Sequence, residues 1–272
     1  SKKDEIIAMT SSFHGRTIGA LSVGSNKNYK SHIGPVPGKV KFCEFNDSKH
    51  LKKLINKRTV AIIIEFVQGD GGINICTKEF AKTIKEICKK RKILLIADEI
   101  QGGIGRTGKI FAYKHYGVSP DIITSAKGLG SGIPIGATIV KKEISKNINI
   151  GFHGSTFGGG MLQTRVAYNV FKTINKNSFL NGVKSKGILL EQLLKKLHSN
   201  CDCIKEVRIK GLMAGIEFKN SKIALKIYKE TSNYGLVTTL VKGTTIRITP
   251  PLIIKSEELK KGIKIISNCL EK

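Results

Sequence analysis

The sequence contains no tryptophan, only 6% aromatic residues and 6 prolines in 272 residues. Acidic residues are also scarce: 20 Asp and Glu stand against 47 Lys and Arg, which gives a formal net charge of +27. Such a charge raises the possibility of nucleic-acid binding, because basic side chains neutralise phosphates. The lysines, however, are spread along the whole chain, and arginine, the better residue for clamping phosphate, is rare. We therefore expect a solvated lysine-rich surface and no nucleic-acid interface.

Long hydrophobic runs are missing too, and no signal-peptide pattern opens the chain. These absences predict a soluble cytoplasmic protein without a membrane span. The six cysteines are scattered, and the only close pair is Cys201 and Cys203. This spacing lacks the second pair of ligands that a zinc site needs, so we expect free thiols and no metal site.

Apolar runs alternate with amphipathic stretches along the chain, which is typical of an α/β fold. The early part predicts strands at 6–9, 39–45 and 60–65 and a helix at 77–91. Two helices are expected between 163 and 197, with a break near 177–178. The C-terminal part predicts strands at 207–209, 212–218, 236–240 and 245–249, and helices at 222–234 and 257–270.

Two apolar runs between residues 92 and 137 end in side chains that carry chemistry. Residues 93–97 form a continuous apolar run that ends at Asp98, and residues 121–126 lead to Lys127 and a glycine-rich segment. Continuous apolar runs of this length indicate buried parallel strands. Since ligands bind beyond the carboxyl ends of such strands, we expect Asp98 and Lys127 to face one crevice.

An Asp and a Lys in one crevice suit pyridoxal phosphate. A lysine amine forms an imine with the cofactor aldehyde, and a carboxylate opposite the pyridine nitrogen keeps that nitrogen protonated. The same two residues are also compatible with a salt bridge, or with an Asp that caps a helix beside a solvated Lys. The pair alone leaves these interpretations open.

Short motifs around the pair favour the cofactor. They are, in order, FHGRT at 13–17, DEIQ at 98–101, GRTG at 105–108, SAKGL at 125–129, PIGA at 134–137, HGSTFGG at 153–159 and RITPPL at 247–252. In these motifs the chain resembles the class III, fold-type I aminotransferases, and within them the acetylornithine aminotransferases. The resemblance runs nearly from end to end.

The resemblance implies an α/β large domain over residues 1–176, with a mostly parallel, seven-stranded-type sheet and helices on both faces. It implies a small C-terminal α+β domain over residues 177–272. Members of the family have a further N-terminal region, whose Ser/Gly/Thr loop holds the cofactor phosphate at a helix N-terminus. This sequence contains no such segment, so we expect a partial large domain and an incomplete phosphate site, from either a fragment or a degraded gene.

The resemblance also assigns cofactor contacts by position. Lys127 would hold pyridoxal phosphate and move the proton during transfer, and Asp98 would face the pyridine nitrogen. Phe13 and Ile100 would lie on the two ring faces, while Gln101 would bond the phenolic oxygen.

Thr156 would reach the cofactor phosphate of a second subunit, which implies a homodimer with shared sites. In the segment that follows, Gly160 and Met161 stand where the family usually has Asn and Pro. We expect this departure to loosen the helix start, and a neutral extra glycine is the alternative.

Three residues are implied in substrate binding. Arg16 would hold the substrate carboxylate far from the reacting amine, and Arg247 the α-carboxylate of glutamate. Asp70 stands where the family has a Glu that masks the arginine. Because Asp is one methylene shorter, we expect a longer or water-bridged contact with Arg247; a plain Asp in a glycine-rich turn is the alternative.

The implied function is transfer of the δ-amino group of N-acetylornithine to 2-oxoglutarate, in arginine biosynthesis. Ornithine aminotransferase and the carrier-linked lysine aminotransferase are alternatives within the class. A truncated, non-catalytic remnant is the alternative from another class.

Overall fold

The computed structural model describes residues 3–31 and 33–271. Its strands, numbered in chain order, are β1 (Glu5–Met9), β2 (Lys39–Cys43), β3 (Thr59–Ile64), β4 (Val67–Gln68), β5 (Asn74–Ile75), β6 (Leu94–Asp98), β7 (Ile122–Ser125), β8 (Ala137–Val140), β9 (Ile204–Ile209), β10 (Ala214–Phe218), β11 (Thr239–Val241) and β12 (Thr245–Ile248). Its α-helices are α1 (Ile18–Val23), α2 (Ser48–Leu54), α3 (Lys78–Arg91), α4 (Lys142–Ser145), α5 (Met161–Ile174), α6 (Asn177–Ser199), α7 (Ser221–Asn233) and α8 (Ser256–Leu270).

A six-stranded sheet in the order β2-β1-β3-β6-β7-β8 organises the first part of the chain. The first five strands of that order are parallel to one another, and β8 runs antiparallel to β7. The expectation of a mostly parallel α/β sheet is confirmed, with six strands in the described part of the chain. Because β1, β3, β6 and β7 are parallel neighbours, their carboxyl ends lie side by side along one end of the sheet.

Both faces of the central strands are covered, which explains their continuous apolar sequences. On β3, Ile62 and Ile64 pack with Phe80 and Ile84 of α3 on one face. The intervening Ile63 packs with Val23 of α1 on the other face. None of the helices in the described part of the chain combines the length and apolar character that a bilayer crossing requires.

The helix α3 shows how local sequence sets these elements. The Thr77 hydroxyl accepts a hydrogen bond from the Phe80 amide (3.1 Å), which caps the first turn. Its apolar residues recur at helical spacing on the sheet side, while its lysines face solvent. Lys92 then ends the helix in the left-handed conformation at φ 51°.

The later part of the chain forms a four-stranded antiparallel sheet in the order β11-β12-β10-β9. A second apolar core joins this sheet to α6, α7 and α8. Between the two parts, α5 ends at Ile174 and α6 begins at Asn177, close to the predicted break. The residue at the N-terminal cap of α5 is Gly160, which has no side chain to accept a hydrogen bond from the first turn.

The strand β8 lies at one edge of the six-stranded sheet. Its four residues, Ala137–Val140, carry no charge, and Ile139 is 46% exposed. The opposite edge strand, β2, differs: its Lys39 and Lys41 pair with Asp4 and Glu5. One edge strand of the sheet therefore carries charged side chains and the other carries none.

A disulfide joins Cys201 to Cys203, so the expectation of free thiols is wrong for this pair. The turn before β9 brings their Cα atoms to 5.3 Å, which is within the range that a disulfide spans. Cys43, Cys76 and Cys88 retain thiols in buried or half-buried positions.

Candidate active site

Loops that follow β1, β3, β6 and β7 carry the ionisable residues of the candidate site. His14 follows β1, Glu65 follows β3, Asp98 is the last residue of β6, and Lys127 follows β7. Because these strands are parallel neighbours, their carboxyl ends lie side by side. The position agrees with the crevice in which open α/β sheets bind ligands.

Asp98 is buried and accepts three hydrogen bonds. The backbone N–H of Ile100 and the hydroxyl of Thr124 each donate to Oδ1 at 3.1 Å. His14 Nδ1 lies 2.6 Å from Oδ2. Since an ionised Asp only accepts, the His14 proton sits on Nδ1, and the buried Nε2 has no partner among residues 3–31 and 33–271.

His14 is a site residue that sequence reasoning missed. It stands between Phe13 and Arg16 in the motif at 13–17. From the sequence we assigned binding roles to Phe13 and Arg16 and none to His14. The available signal was a histidine in the loop after one buried strand and an aspartate at the end of another, at the same edge of the sheet. Its contact with Asp98 spans 84 positions in the sequence, which local patterns do not reveal.

Lys127 is exposed and has a strained backbone. Its φ of 45° lies in the left-handed region, which costs a non-glycine residue roughly 1–2 kcal/mol. No hydrogen bond or ion pair holds its ammonium group within the described ranges 3–31 and 33–271. The nearby β-branched Ile104 is strained in the same way, at φ 48°. Strain of this kind concentrates at functional sites.

A cavity of about 780 Å³ opens beside Lys127. Of the predicted site residues, it is lined by Ile100, Gln101, Lys127 and Arg247. Much of the remaining wall is apolar and comes from α5 and from the segment at 249–253. The structure therefore brings four of the nine predicted site residues to one cavity.

Arg247 contacts both Asp70 and Gln101. Its Nη1 donates to Asp70 Oδ1 at 2.6 Å and to Gln101 Oε1 at 3.2 Å. The expectation of a longer or water-bridged contact with Asp70 is therefore wrong. The buried Nε–H of Arg247 has no partner in the part of the chain that the structure describes, so it is available to another acceptor.

The loop at 69–72 explains why the shorter Asp reaches Arg247. The Gly72 carbonyl accepts a hydrogen bond from Arg208 Nε at 2.8 Å, which ties the loop to β9. Val67 and Ile73 on either side pack against Met213, just before β10. The loop is thereby held against the second sheet, close to β12 and its Arg247.

Glu65 joins three loops of the site, and sequence reasoning gave it no role. Its Oε2 accepts from the Phe13 amide at 3.0 Å, and its Oε1 accepts from the Gly69 amide at 3.3 Å. The side-chain amide of Gln101 donates to the same Oε1 at 3.5 Å. Burial, opposed by the nearby His14 and reinforced by Asp98, raises the pKa of Glu65 to about 7.

Two further ionisable residues, Glu99 and Arg106, shape the loop after β6. Glu99 accepts from the amides of Ala112 (2.7 Å) and Tyr113 (2.8 Å), and burial raises its pKa to about 7. Arg106 Nη1 donates to the carbonyls of Leu212 (3.0 Å) and Pro250 (2.5 Å), and burial lowers its pKa to about 10. Arg106 thus links this loop to two segments of the second sheet.

The other predicted residues lie outside the cavity lining. The Phe13 ring packs edge-on against Tyr29, with centroids 6.0 Å apart. The Arg16 guanidinium lies 3.8 Å from the centre of the same Tyr29 ring. Thr156 is exposed in the loop before α5. The structure therefore does not bring Phe13, Arg16 and Thr156 to the wall of this cavity.

Comparison with known proteins identifies a family that matches nearly the whole chain. The family model for class-III aminotransferases matches residues 1–270. The acetylornithine aminotransferase of Caldanaerobacter subterraneus is 40% identical over 272 residues, covering 99% of this chain and 68% of that protein. The succinylornithine transaminase of Yersinia pseudotuberculosis is 37% identical over 273 residues, covering 99% and 66%.

Solved structures of aminotransferases also match the chain, at lower sequence identity than the relatives above. The ornithine aminotransferase of Toxoplasma gondii superposes with a TM-score of 0.93 at 27% identity, covering 100% of this chain and 65% of that one. Another structure of that enzyme, 28% identical, reveals partial occupancy of pyridoxal phosphate at its active site. The chain spans about two thirds of the length of these relatives. From its sequence motifs, its fold and these matches, the chain belongs to the class-III aminotransferase family.

Proposed function

We propose that the protein transfers the δ-amino group of N-acetylornithine to 2-oxoglutarate, which yields N-acetylglutamate 5-semialdehyde and glutamate. The observation that carries this proposal is the Asp70–Arg247 pair at the cavity beside Lys127. While Asp70 holds the guanidinium, a donor without a carboxylate on its reacting carbon can enter. When the pair opens, Arg247 can bind the α-carboxylate of glutamate.

Pyridoxal phosphate is the cofactor that membership of the family implies, and the residues fit it. Asp98 is a buried carboxylate with an organised hydrogen-bond shell, and the Lys127 ammonium is unpaired in the described chain. When bound, the cofactor supplies an electron sink for the carbanion formed at the substrate carbon. Asp98 would keep a proton on the ring nitrogen, and Lys127 would carry the proton between substrate and cofactor carbons.

Four other residues would position the cofactor. Phe13 and Ile100 would pack on its two faces, and Gln101 would hydrogen-bond its phenolic oxygen. The half-buried position of Ile100 and Gln101 in the cavity wall supports their part of this arrangement. Thr156 would bind the phosphate held by a second subunit.

The substrate assignment draws on the names of the relatives. Two of the relatives are named acetylornithine aminotransferase and succinylornithine transaminase, and both names contain an N-acylated ornithine. Arg16 would hold the α-carboxylate of that donor, or the side-chain carboxylate of glutamate. Ornithine and carrier-linked lysine are the competing donors within the class.

A homodimer is the assembly that we propose. Four large apolar side chains are strongly exposed between residues 148 and 157, in the segment that contains Thr156: they are Ile148, Ile150, Phe152 and Phe157. An exposed apolar cluster of this kind is typical of an interface. Phe157→Ser should shift light-scattering mass toward the monomer, and an unchanged mass would contradict the assignment.

We also propose that residues 1–176 and 177–272 are two domains. The proposal is supported by the two separate sheets, each with its own apolar core, and by the helix break at residues 175–176. Limited proteolysis that cuts first near this break would support the division.

The test of function begins with the visible absorbance of the purified protein after addition of pyridoxal phosphate. Borohydride reduction and peptide mapping should find the cofactor on Lys127, and Lys127→Ala should lack it. Lys146→Ala, which removes an exposed lysine beyond the sheet, is the matched control and should behave as the wild type. Cofactor spread over many lysines would contradict the proposed site.

Donor assays complete the test. Glutamate formation from 2-oxoglutarate should be faster with N-acetylornithine or N-succinylornithine than with ornithine or 4-aminobutyrate. A reversed order would reassign the donor within the class. Cofactor binding at Lys127 without transfer from any of these donors would favour the non-catalytic remnant.

A further inference from the structure

The hydrogen bonds around Glu65 form a closed circuit. Glu65 accepts from the Gln101 amide, Gln101 accepts from Arg247, and Arg247 donates to Asp70. The circuit closes through the backbone, because Gly69, the neighbour of Asp70, donates its amide to Glu65. The side-chain amide of Gln101 thus contacts Glu65, which follows β3 of the first sheet, through its NH₂ group. It contacts Arg247, on β12 of the second sheet, through its oxygen.

The position of Gln101 in this circuit is tightly defined. A Cβ atom placed on Gly69 would lie only 2.1 Å from Gln101 Oε1, so the amide packs directly on the glycine backbone. Translation of the amide is therefore restricted. Rotation about its terminal bond, which exchanges the oxygen and the NH₂ group, changes little in shape.

The charge state of Glu65 decides between these two orientations. An ionised carboxylate only accepts hydrogen bonds, so Gln101 must turn its NH₂ toward Glu65 and its oxygen toward Arg247. In the protonated state, all three neighbours of Glu65 are N–H donors, and the new O–H needs an acceptor. A rotated Gln101 provides that acceptor, but it then points its NH₂ at the Arg247 donor.

We infer that Glu65 is a positioning residue that fixes the orientation of the Gln101 amide and thereby decides whether Arg247 has one acceptor or two. With Glu65 ionised, Asp70 and Gln101 both hold Arg247. With Glu65 protonated, Asp70 holds it alone. The titratable groups that face Glu65 are His14 and Asp98, with the Arg247 guanidinium and the Asp70 carboxylate one side chain further away.

Side-chain NMR of the whole protein tests the inference without cofactor or substrate. The resonances to follow are the Gln101 NH₂ and the Arg247 Nε–H, over a range from about pH 5.5 to about pH 8.5. In the wild type both should shift with a common midpoint near 7, the pKa to which burial raises Glu65. Glu65→Gln should abolish this common step.

Glu99→Gln is a matched control. Glu99 is equally buried and has a pKa raised to the same region, but its partners are the amides of Ala112 and Tyr113. This variant should keep the common step. Absence of the step in the wild type, its persistence in Glu65→Gln, or its loss in Glu99→Gln would overturn the inference.

A second variant keeps the inference testable if Glu65→Gln does not fold. Gln101→Met keeps the length of the side chain but removes its amide, so the pH step of Arg247 should disappear while the Glu65 carboxyl carbon still titrates. A retained Arg247 step would overturn the inference, since Gln101 would then not transmit the change.

The inference also predicts that carboxylate binding depends on pH, and this prediction rests on the proposed function of Arg247. If Arg247 binds carboxylates, glutarate should bind up to about ten-fold more tightly at about pH 6 than at about pH 8, and Glu65→Gln should remove this difference. A glutarate affinity that Arg247→Gln leaves unchanged would count against the proposed role of Arg247. The NMR step alone decides the inference about Glu65.

Discussion

The Nδ1 atom of His14 lies 2.6 Å from Oδ2 of Asp98, and both side chains are buried. The contact gives Asp98 a third hydrogen-bond donor, in addition to Ile100 and Thr124. A buried carboxylate that is fully hydrogen-bonded keeps one orientation, which a group facing a ring nitrogen needs. His14 therefore extends the candidate site to the loop after β1.

Replacing His14 should weaken cofactor binding. In His14→Leu, Asp98 loses a charge-assisted hydrogen bond worth about 1.5–3 kcal/mol, so the Kd for pyridoxal phosphate should rise by about ten-fold or more. Absorbance titration measures this Kd. His198→Ala, which removes an exposed histidine near the end of α6, should bind as the wild type does; equal Kd values for all three proteins would refute the role of His14.

Neutralising Asp70 should release Arg247. In Asp70→Asn the guanidinium loses its ionic partner, and because both side chains are partly exposed the gain for a competing carboxylate is about five-fold in Kd. Calorimetric titration with glutarate checks this value. Asp70→Glu restores the residue usual in the family and should keep the affinity of the wild type. Weaker glutarate binding by Asp70→Asn would contradict the masking role.

Two glycines of α6 should respond oppositely to alanine. A Cβ on Gly187 would lie 2.8 Å from the Gly211 backbone, so Gly187→Ala forces the helix away from that segment and should cost about 1–3 kcal/mol of unfolding free energy. A Cβ on Gly182 meets nothing within 4 Å, and Gly182→Ala should add about 0.5–1 kcal/mol through helix propensity. Urea denaturation measures both changes, and similar effects of the two substitutions would contradict the packing argument.

Glu99 should make stability fall as pH rises. Burial raises its pKa from 4.5 to about 7, so the native state holds a proton that the unfolded chain releases between these values. The unfolding free energy contributed by Glu99 is fully present below about pH 4.5 and is lost by about pH 7, a change on the order of 3 kcal/mol.

Denaturation at several pH values tests this dependence. Glu99→Gln should decrease the fall in stability across the window, because an amide does not titrate. Glu143→Gln, an exposed substitution in α4, should leave the dependence as in the wild type. An identical pH dependence in Glu99→Gln would show that burial does not raise the pKa of Glu99 above its value in the unfolded chain.

Local sequence patterns predicted the elements well where one face or both faces are buried. The continuous run at 93–97 became β6, and the helical spacing at 77–91 became α3 with its Thr77 cap. The hairpin of β4 and β5 was missed because each strand has only two residues. Such short strands carry no periodicity.

The candidate site was less predictable, since its contacts cross long stretches of sequence. Asp70 and Arg247 are 177 positions apart, and their direct contact depends on how Arg208 and Met213 hold the glycine-rich loop. The partners of Glu65 and Arg106 likewise lie on other loops. A motif gives the identity of such residues, whereas the packing between the two sheets gives their contacts.

The edge strand β8 has a consequence for association. Its outward backbone groups are unpaired in the described chain, and neither a charge nor a proline interrupts the strand, so it is a template on which a strand of another molecule can form hydrogen bonds. Ile139→Lys should accordingly reduce light scattering during refolding, while Lys39→Ile should increase it by removing the charge that guards the opposite edge. The sheet can therefore be extended by a strand of another molecule at β8, whereas the charged side chains of β2 oppose such pairing at the other edge.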